Sequence, residues 1–441
     1  MVDTLGNVEY DGDMETIHGR GNWTWGQEKK PYSIKLPNKT KLLGLKKAKK
    51  FNLLSQPSDP TGMRNWMALS AAKQMGLNDN LNFSFANVYL NGNYAGCYLM
   101  TNKVDREPQH NYLLEIDSRV DQEEINASFH TAHGIIMTIK KPKLFTDEEK
   151  SYVEREWQRV EDALMEDTVW ISDYPIDSLI DMTSFVNNYL CQEVFKNMDA
   201  GCASFYMGKD RDGKFYADTI WDMDGTMSSP LSHMLGHELC RVIYAGAGLP
   251  LDNPVYSSVC SMLYKNGNFR HQVCLHYGQM KSIVKDLFWG ETWNTIVSYL
   301  QTDMEINNFR WRDGANFEEQ CNQIKNWMEE RLRFLDWVWN EEDEHSKCLV
   351  TVYINESSRP IQYVIPRNTR FSEPLPAFNS VDVTNLGYEY TFTGYEIDGV
   401  PVNLDTLLVD KDITVIGKWK QTKEPSLYHR FRVWFWNLRH K

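Results

Sequence analysis

The sequence has no long apolar segment: no stretch approaches the roughly 18 residues that a membrane-spanning helix needs, and Met1 opens directly onto polar residues. Its eight cysteines are scattered, with no C-x-x-C pair and no histidine spacing typical of zinc. This favours reduced, buried thiols over disulfides or a zinc site. The chain also lacks a net positive charge, because it has 60 Asp+Glu and 47 Lys+Arg. This argues against a protein that binds duplex nucleic acid over much of its surface.

What the sequence does have is apolar area and an uneven charge. Its 441 residues are 42% hydrophobic and 13% aromatic, enough for one large core and two or three domains. The formal charge is -13, yet residues 29–50 carry nine lysines and no acidic residue. A basic island beside an acidic body is therefore the better description. We do not expect this island to bind nucleic acid, because no RNA- or DNA-binding motif accompanies it.

Local patterns predict both strands and helices. Alternating residues around the glycines at 19–26 predict a hairpin over 15–36, and Asn91-Gly92 predicts a second one. Residues 59–76, 182–194 and 278–340 have helical spacing, and Thr146 with Glu149 forms a capping box that opens a helix to about 165. Residues 349–420 alternate like strands, which predicts a separate β-rich domain.

One ordered set of residues indicates chemistry. A glycine loop is followed by a strand lysine and, much later, by Asp199 and Asp222, with a predicted hairpin between the two acids. Phosphoryl transfer needs this combination, because glycines let backbone amides approach phosphates, an ammonium neutralises them, and carboxylates hold magnesium. Each part alone has an ordinary explanation: Gly19-x-Gly21 as a tight turn, Lys35 as a solvated lysine, and Asp222 with Asp224 as a turn cap.

The motifs together resemble the spore-coat protein H (CotH) kinase family over roughly residues 10–340. They are Gly19-Arg-Gly-Asn22, Lys30-Pro-Tyr-x-Ile-Lys35, Asp59-Pro, Arg64-Asn65, the hairpin at 89–98, Asn197-x-Asp199 and Trp221-Asp-x-Asp224. The resemblance implies an α+β, atypical and minimal protein-kinase-like bilobal fold. It also implies binding of ATP with Mg²⁺, or Mn²⁺ in its place, and phosphorylation of Ser or Thr in proteins.

The resemblance also implies a role for each matching residue. The phosphates would be covered by Gly19, Arg20, Gly21 and Asn22, and Lys35 would replace the phosphate-binding lysine of the third strand. Asp199 would orient the substrate hydroxyl. Asp222, with Asp224, would ligate the metal. Arg64 has two open uses, as a phosphate ligand or as an anchor for its helix.

Two departures from the family pattern affect these assignments. Many members have Asn five positions after the loop aspartate, as a second metal ligand, and this chain has Ser204 there. Serine is the weaker ligand, which puts a second ion in question. The predicted helix at 61–76 contains no acidic residue, so Lys35 lacks its customary helix glutamate, and the sequence does not show what replaces it.

The C-terminal part resembles a different family. Residues 388–395, 398–399 and 412–419 look like one Listeria/Bacteroides-type (InlB B-like) repeat, a small β-grasp-like module of surface and secreted proteins. The implied organisation is a kinase domain at 1–345, with an N-lobe at about 1–115 and a C-lobe at about 116–345, then the repeat at 348–421. A basic aromatic tail follows at 422–441. The repeat and tail favour association with a bacterial cell or membrane surface, and an extracytoplasmic over a cytoplasmic location.

Three functions follow from these resemblances. The first is a protein kinase acting on a basic, Ser/Thr- and Lys/Arg-rich protein, to which the acidic body would be attracted. The second is a pseudokinase or surface interaction protein that binds nucleotide or a partner without turnover. The third is a kinase-fold transferase that adds AMP or glutamate.

Overall fold

The computed structural model describes the chain except for residues 4, 106–107, 118–119, 121, 166–175, 198, 211–212, 230–257, 340–345, 355–360, 374, 376–380, 384–387 and 425–441. The predicted basic aromatic tail therefore lies outside the described residues from position 425 onward. The part that is described contains many helices and many strands, and its main sheets are largely antiparallel, which confirms the α+β class.

The first sheet is antiparallel and has the strand order β1-β2-β3-β5-β4. It begins with the predicted hairpin, in which Gly19 pairs with Tyr32. The predicted Asn91-Gly92 turn joins β4 to β5, and both turn residues have positive φ, 50° and 79°, as a type I′ turn requires. The strands of this sheet and the two helices between them are β1 (Thr16–Gly19), α1 (Trp23–Gly26), β2 (Tyr32–Thr40), β3 (Ala48–Leu54), α2 (Met63–Gln74), β4 (Phe83–Leu90) and β5 (Asn93–Asn102).

The two faces of this sheet have different neighbours. Ile34, Leu36 and Phe51 form a small cluster with residues of the β2–β3 connection, such as Leu42 and Leu45. Since side chains alternate along a strand, the opposite face carries Leu54 and Leu99, which belong to the main core of the molecule. The β2–β3 connection thus covers the outer face of the sheet. The opposite face packs against the rest of the molecule.

A second antiparallel sheet has the order β10-β9-β6-β8-β7 and packs against helices. The capping box is present, because the Thr146 amide donates to Glu149 Oε2 at 2.7 Å and the Glu149 amide donates to Thr146 Oγ1 at 3.2 Å. The elements are β6 (Tyr112–Ile116), β7 (Ser128–His130), β8 (Ile136–Lys141), α3 (Asp147–Met165), α4 (Ile176–Leu179), α5 (Met182–Val194), β9 (Phe205–Lys209) and β10 (Phe215–Thr219).

Four helices complete this part: α6 (Val259–Lys265), α7 (Gly267–Trp289), α8 (Glu291–Trp311) and α9 (Phe317–Val338). Helix α8 reaches back to the first sheet, where Asn307 accepts a hydrogen bond from the Cys97 amide and Trp311 Nε1 donates to Ala95 O, both at 3.2 Å. None of the described helices is both long and apolar enough to cross a bilayer. The seven cysteines among the described residues are free thiols.

The C-terminal residues form a six-stranded sheet around a hydrophobic cluster of their own. Its central strands pair in parallel, with Val350 opposite Ile413. The sheet also contacts the helices, because Arg270 forms an ion pair with Asp412 at 2.9 Å. The strands are β11 (Lys347–Tyr353), β12 (Ile361–Pro366), β13 (Thr369–Arg370), β14 (Val381–Val383), β15 (Glu389–Ile397), β16 (Val400–Val402), β17 (Leu408–Val409) and β18 (Ile413–Lys423), and β13 pairs with β17 apart from the main sheet.

Candidate active site

The glycine loop folds back on itself between β1 and β2. Gly21 has a φ of +74°, a region that glycine enters at little cost. A Cβ atom on Gly19 would stand 2.2 Å from the ring of Trp25, so only glycine fits beneath that ring. Asn22 precedes the short helix α1, but its side chain makes no capping hydrogen bond. The two glycines therefore have a packing reason as well as the phosphate role that the resemblance implies.

The Arg20 side chain connects the glycine loop with residues on the other side of the cleft. Its guanidinium lies 5.6 Å from the centre of the Trp221 ring, a cation–π distance. Trp221 directly precedes Asp222, and the positive charge of Arg20 acts to lower the pKa of that carboxyl. Of the predicted loop residues, Arg20 is the one whose side chain the structure places next to the carboxylates.

Asp222 is held in an unusual backbone conformation. Its φ is +60°, which a non-glycine residue adopts at a cost of about 1 kcal/mol or more. The next residue explains how this is maintained, because Met223 is buried and its amide donates to Asn65 Oδ1 at 2.8 Å. The Asp222 side chain is left exposed to solvent. The chain thus presents this carboxylate to an open cleft.

The charges around Asp222 are mostly of its own sign. Desolvation by the surrounding protein is the largest cause that raises the pKa of Asp222, followed by the charge of Asp224, with further contributions from Asp199 and Asp117. Only Arg20 acts in the opposite direction among these neighbours. An excess of carboxylate oxygen in an open cleft is the donor chemistry that a hard cation such as Mg²⁺ prefers.

The carboxylates are close but do not form a complete metal cage. Within the described part of the chain, no three His, Cys, Asp or Glu side chains converge closely enough to hold an ion by themselves. This arrangement still fits magnesium, which in nucleotide enzymes is bound by one or two carboxylates together with phosphate oxygens and water. Asp222 is the exposed member of the group, so it is the carboxylate best able to share an ion with a ligand.

Asp224 faces a different neighbour. Ser58, in the loop after β3, donates to Asp224 Oδ2 at 3.1 Å. Burial is the largest cause that raises the pKa of Asp224, and the charge of Asp59 adds to it. Asp224 therefore ties the loop to the first sheet, and this contact competes with the metal ligation predicted for it.

Asp199 and Ser204 lie in the turn between α5 and β9. The Asp199 carbonyl accepts from the amides of Cys202 at 3.2 Å and Ala203 at 3.1 Å, so the aspartate sits in a tight turn. Its negative charge is one of the causes that raise the pKa of Asp222, so the two predicted carboxylates lie within electrostatic range of each other. Ser204 has a φ of +51°. No hydrogen bond joins it to Asp222 or Asp224 in the residues described, and its metal role stays a prediction.

The partner of Lys35 is Glu15. The two side chains form an ion pair, and the hydrogen bond from Lys35 is the largest cause that lowers the pKa of Glu15. Backbone pairing explains the contact, because the Glu15 amide donates to Lys35 O at 2.8 Å just before β1 begins. Lys35 thus lies on β2, the second described strand, and its acid comes from the strand beside it instead of from a helix.

Arg64 has a structural use. It is buried, with an exposed fraction of 1%, and its Nη1 pairs with Asp59 at 2.6 Å. Its Nε donates to the Thr226 carbonyl at 2.9 Å, so it also fastens the loop that follows Asp222. Of the two uses that the sequence left open, these contacts support the anchor.

The structure thus brings Arg20, Asp199, Asp222 and Asp224 to one cleft, and it places Lys35 with Glu15. Sequence reasoning missed Asp117, Ser58 and Glu15, which carry no motif. Their roles depend on strand register or on contacts between distant parts of the chain. Glu15 alone gave a weak sequence signal, because it stands just before a predicted strand.

Comparison with known proteins agrees with this geometry. A search of curated proteins finds no match to the chain. The family model described as CotH kinase protein matches residues 17–335, which is more than half of the 441 residues and includes every predicted site residue. The chain belongs to the CotH kinase protein family.

Proposed function

We propose that this protein is an atypical protein kinase that transfers the γ-phosphoryl group of ATP to Ser or Thr of a protein, with Mg²⁺. Family membership supports the kinase class. The observation that carries the proposal is Asp222, an exposed carboxylate among like charges with Arg20 opposite and Asp199 nearby. A divalent ion bound there would neutralise charge on the nucleotide phosphates.

Other residues of the chain would have separate roles in the transfer. Asp199 would accept a hydrogen bond from the substrate hydroxyl and receive its proton as the hydroxyl oxygen bonds to the γ-phosphorus. The bond between that phosphorus and the bridging oxygen of the β-phosphate would break at the same time, and ADP would leave. Arg20, held over Trp221, would place positive charge beside the transferred group. Asn65 and Arg64 keep the Asp222 loop in its strained conformation, so the carboxylate does not have to reorganise when a ligand arrives.

The substrate and the setting of the protein are also part of the proposal. The formal charge of -13 supports a basic, Ser/Thr- and Lys/Arg-rich protein as the substrate, through an attraction that high salt would weaken. The C-terminal β segment, which resembles a surface-protein repeat, would serve as a spacer or adhesive unit on the cell surface. Nucleic acid is not proposed as a partner.

A pseudokinase is the second candidate, and one observation favours it. Ser204 replaces the family asparagine and makes no hydrogen bond to Asp222 in the described residues, which leaves a second ion without an evident ligand. In that case the cleft would bind nucleotide without transfer, and the protein would act through its partners.

The test combines nucleotide binding with intact-mass measurement. Wild-type protein, Mg²⁺-ATP and a Ser-, Lys- and Arg-rich peptide should give a product heavier by one phosphate. Asp222→Asn should abolish transfer and the Mg²⁺-dependent gain in melting temperature, whereas Asp199→Asn should abolish transfer and keep that gain. Asp398→Asn is the matched control, because Asp398 also has a positive φ, 50°, but lies in the C-terminal sheet.

Each alternative leaves a distinct result. Full transfer by Asp222→Asn would contradict the metal assignment, and binding without any added mass would identify a pseudokinase. A product heavier by AMP or by glutamate would indicate the corresponding transferase. Because desolvation, and after it the charge of Asp224, raises the pKa of Asp222, its ionised form costs folding stability above its normal pKa. Asp222→Asn should therefore melt at a higher temperature than wild type without ligand at pH 7.

A further inference from the structure

Three lysines lie side by side across the first sheet. Lys35 on β2 is directly opposite Lys50 on β3. On the next strand, Asn102 is paired with Phe51, so Lys103 continues the same row one residue beyond the paired end of β5. Directly opposite residues on antiparallel strands share a face. Lys35, Lys50 and Lys103, which we call the lysine row, therefore cross three strands at one level.

The lysine row lies on the face turned toward the second sheet. Ile34, Leu36 and Phe51, which alternate with these lysines along β2 and β3, point into the cluster on the outer face. The electrostatic neighbours of Lys103 agree, because they include Lys140 and Lys141 of β8. The row thus lies near Lys140 of the second sheet, and Lys140 pairs with Glu115 on β6, the strand that ends just before Asp117, one of the acids that act on Asp222.

Most cations here already have an acidic partner. Lys140 pairs with Glu115 and Glu124, both at 2.7 Å, Lys141 pairs with Asp105 at 2.7 Å, and Lys35 pairs with Glu15. In the part of the chain that the structure describes, no ion pair reaches Lys50 or Lys103.

Lys103 also sits in an unfavourable environment. Desolvation is the largest cause that lowers its pKa, and Lys50, Lys140, Lys143 and Lys141 add to it, with no acidic residue among these causes. The side chain is nonetheless exposed to solvent, as expected for a group on the wall of an open cleft. Like charges opposite one another on neighbouring strands repel, so the row costs stability unless an anion binds to it.

We propose that Lys50 and Lys103, with Lys35 beside them, form a subsite for a polyphosphate group, supplied by the nucleotide. The inference rests on the proposed function for this choice of ligand, and it adds two phosphate-binding residues to the lysine expected from the resemblance. Strands lie about 4.8 Å apart, so the row extends over about 10 Å. A polyphosphate places several negative charges within that length, and lysine binds phosphate as a point charge.

The experiment measures binding of inorganic tripolyphosphate and of ATP by calorimetry, without Mg²⁺, to the full chain. Lys50→Gln and Lys103→Gln should each weaken both ligands by about tenfold, the effect of one lost charge-assisted contact, while adenosine binds equally to all variants. Lys49→Gln is the matched control. It is adjacent to Lys50 and changes the net charge identically, but the residue directly opposite Lys35 is Lys50 and not Lys49.

The melting temperature without ligand is a second readout, and it distinguishes a lost binding contact from a variant that folds poorly. Because each of the two substitutions removes a like-charge contact, Lys50→Gln and Lys103→Gln should melt at a higher temperature than wild type in the absence of ligand, and Lys49→Gln should not. Unchanged tripolyphosphate affinity in both variants, or no tripolyphosphate binding to the wild type, would overturn the subsite. If tripolyphosphate binding follows the prediction but ATP does not bind even after Mg²⁺ is added, the subsite stands as a polyphosphate site and the proposed kinase function fails.

Discussion

The loop that carries Asp222 and the glycine loop that carries Arg20 meet at one cleft, but they are held in opposite ways. Met223, Thr226 and Met227 are completely buried, and side chains of α2 bind the loop backbone at both ends. The helical turn of the glycine loop has no buried residue, and its Trp23 and Trp25 are each 44% exposed.

This difference indicates a division of roles. A loop fixed by buried hydrogen bonds presents its carboxylate in one geometry, as preorganised catalysis requires. A loop with few buried contacts has a low local stability and adapts to its ligand more easily. Substitutions in the first loop should therefore affect folding and activity together, whereas substitutions in the glycine loop should affect ligand binding with little effect on folding.

The largest effect is expected at Arg64. Arg64→Met leaves Asp59 buried without its charge partner and removes the donors to the Thr226 carbonyl. Breaking a buried pair in this way costs about 3 to 5 kcal/mol, which chemical denaturation would measure. Lys73→Met is the control, because it removes one positive charge from the last turn of the same helix, where its hydrogen-bond partner is the neutral Asn82 and no buried carboxylate is left unpaired. A loss below about 1 kcal/mol for Arg64→Met would contradict the anchoring role.

The next effect should appear at Gly19. Gly19→Ala forces its new Cβ against the Trp25 ring, which must swing outward because the ring is partly exposed. We expect about 1 kcal/mol of lost nucleotide affinity, roughly fivefold, with little change in the free energy of unfolding. Gly26→Ala is the matched control, since a Cβ there meets nothing within 4 Å. Adding Trp25→Ala should restore the affinity, and a failure of this rescue would contradict the packing explanation.

Sequence reasoning succeeded where the signals are local. The capping box at Thr146, the hairpin at Asn91-Gly92 and the helix over Met182–Val194 each depend on residues within a few positions of one another, and the structure confirms all three. The order of motifs also predicted that Asp199 and Asp222 face one site, and the charge of Asp199 is one of the causes that raise the pKa of Asp222.

The rest depended on contacts between distant segments. Glu15 partners Lys35 because of strand register, and Asp117 reaches Asp222 because β6 ends at the same cleft. Register also creates the lysine row, since a shift of one residue would turn Lys50 to the outer face. No pattern within the basic stretch separates Lys50 from Lys49, although only Lys50 lies directly opposite Lys35.

The smallest effect should occur at Glu15, and its sign separates two uses of Lys35. If Glu15 merely neutralises one cation of the lysine row, Glu15→Gln makes the row more positive, and tripolyphosphate should bind about two- to threefold more tightly. We expect this result because both side chains are substantially exposed, at 33% and 41%, so the pair does not hold Lys35 rigidly. Glu28→Gln removes a negative charge elsewhere in the same lobe and serves as control.

The pH dependence of this difference provides its own check. Lys35 lowers the pKa of Glu15, so the pair is intact above the normal pKa of Glu15 and is lost as the pH falls through the lowered value. Wild type and Glu15→Gln should therefore differ at neutral pH and converge in acid, once Glu15 is protonated. Weaker tripolyphosphate binding by Glu15→Gln at neutral pH would instead show that Glu15 orients Lys35 as a phosphate ligand. The glycine-loop side of the cleft would then be more rigid than the exposure of these two side chains indicates.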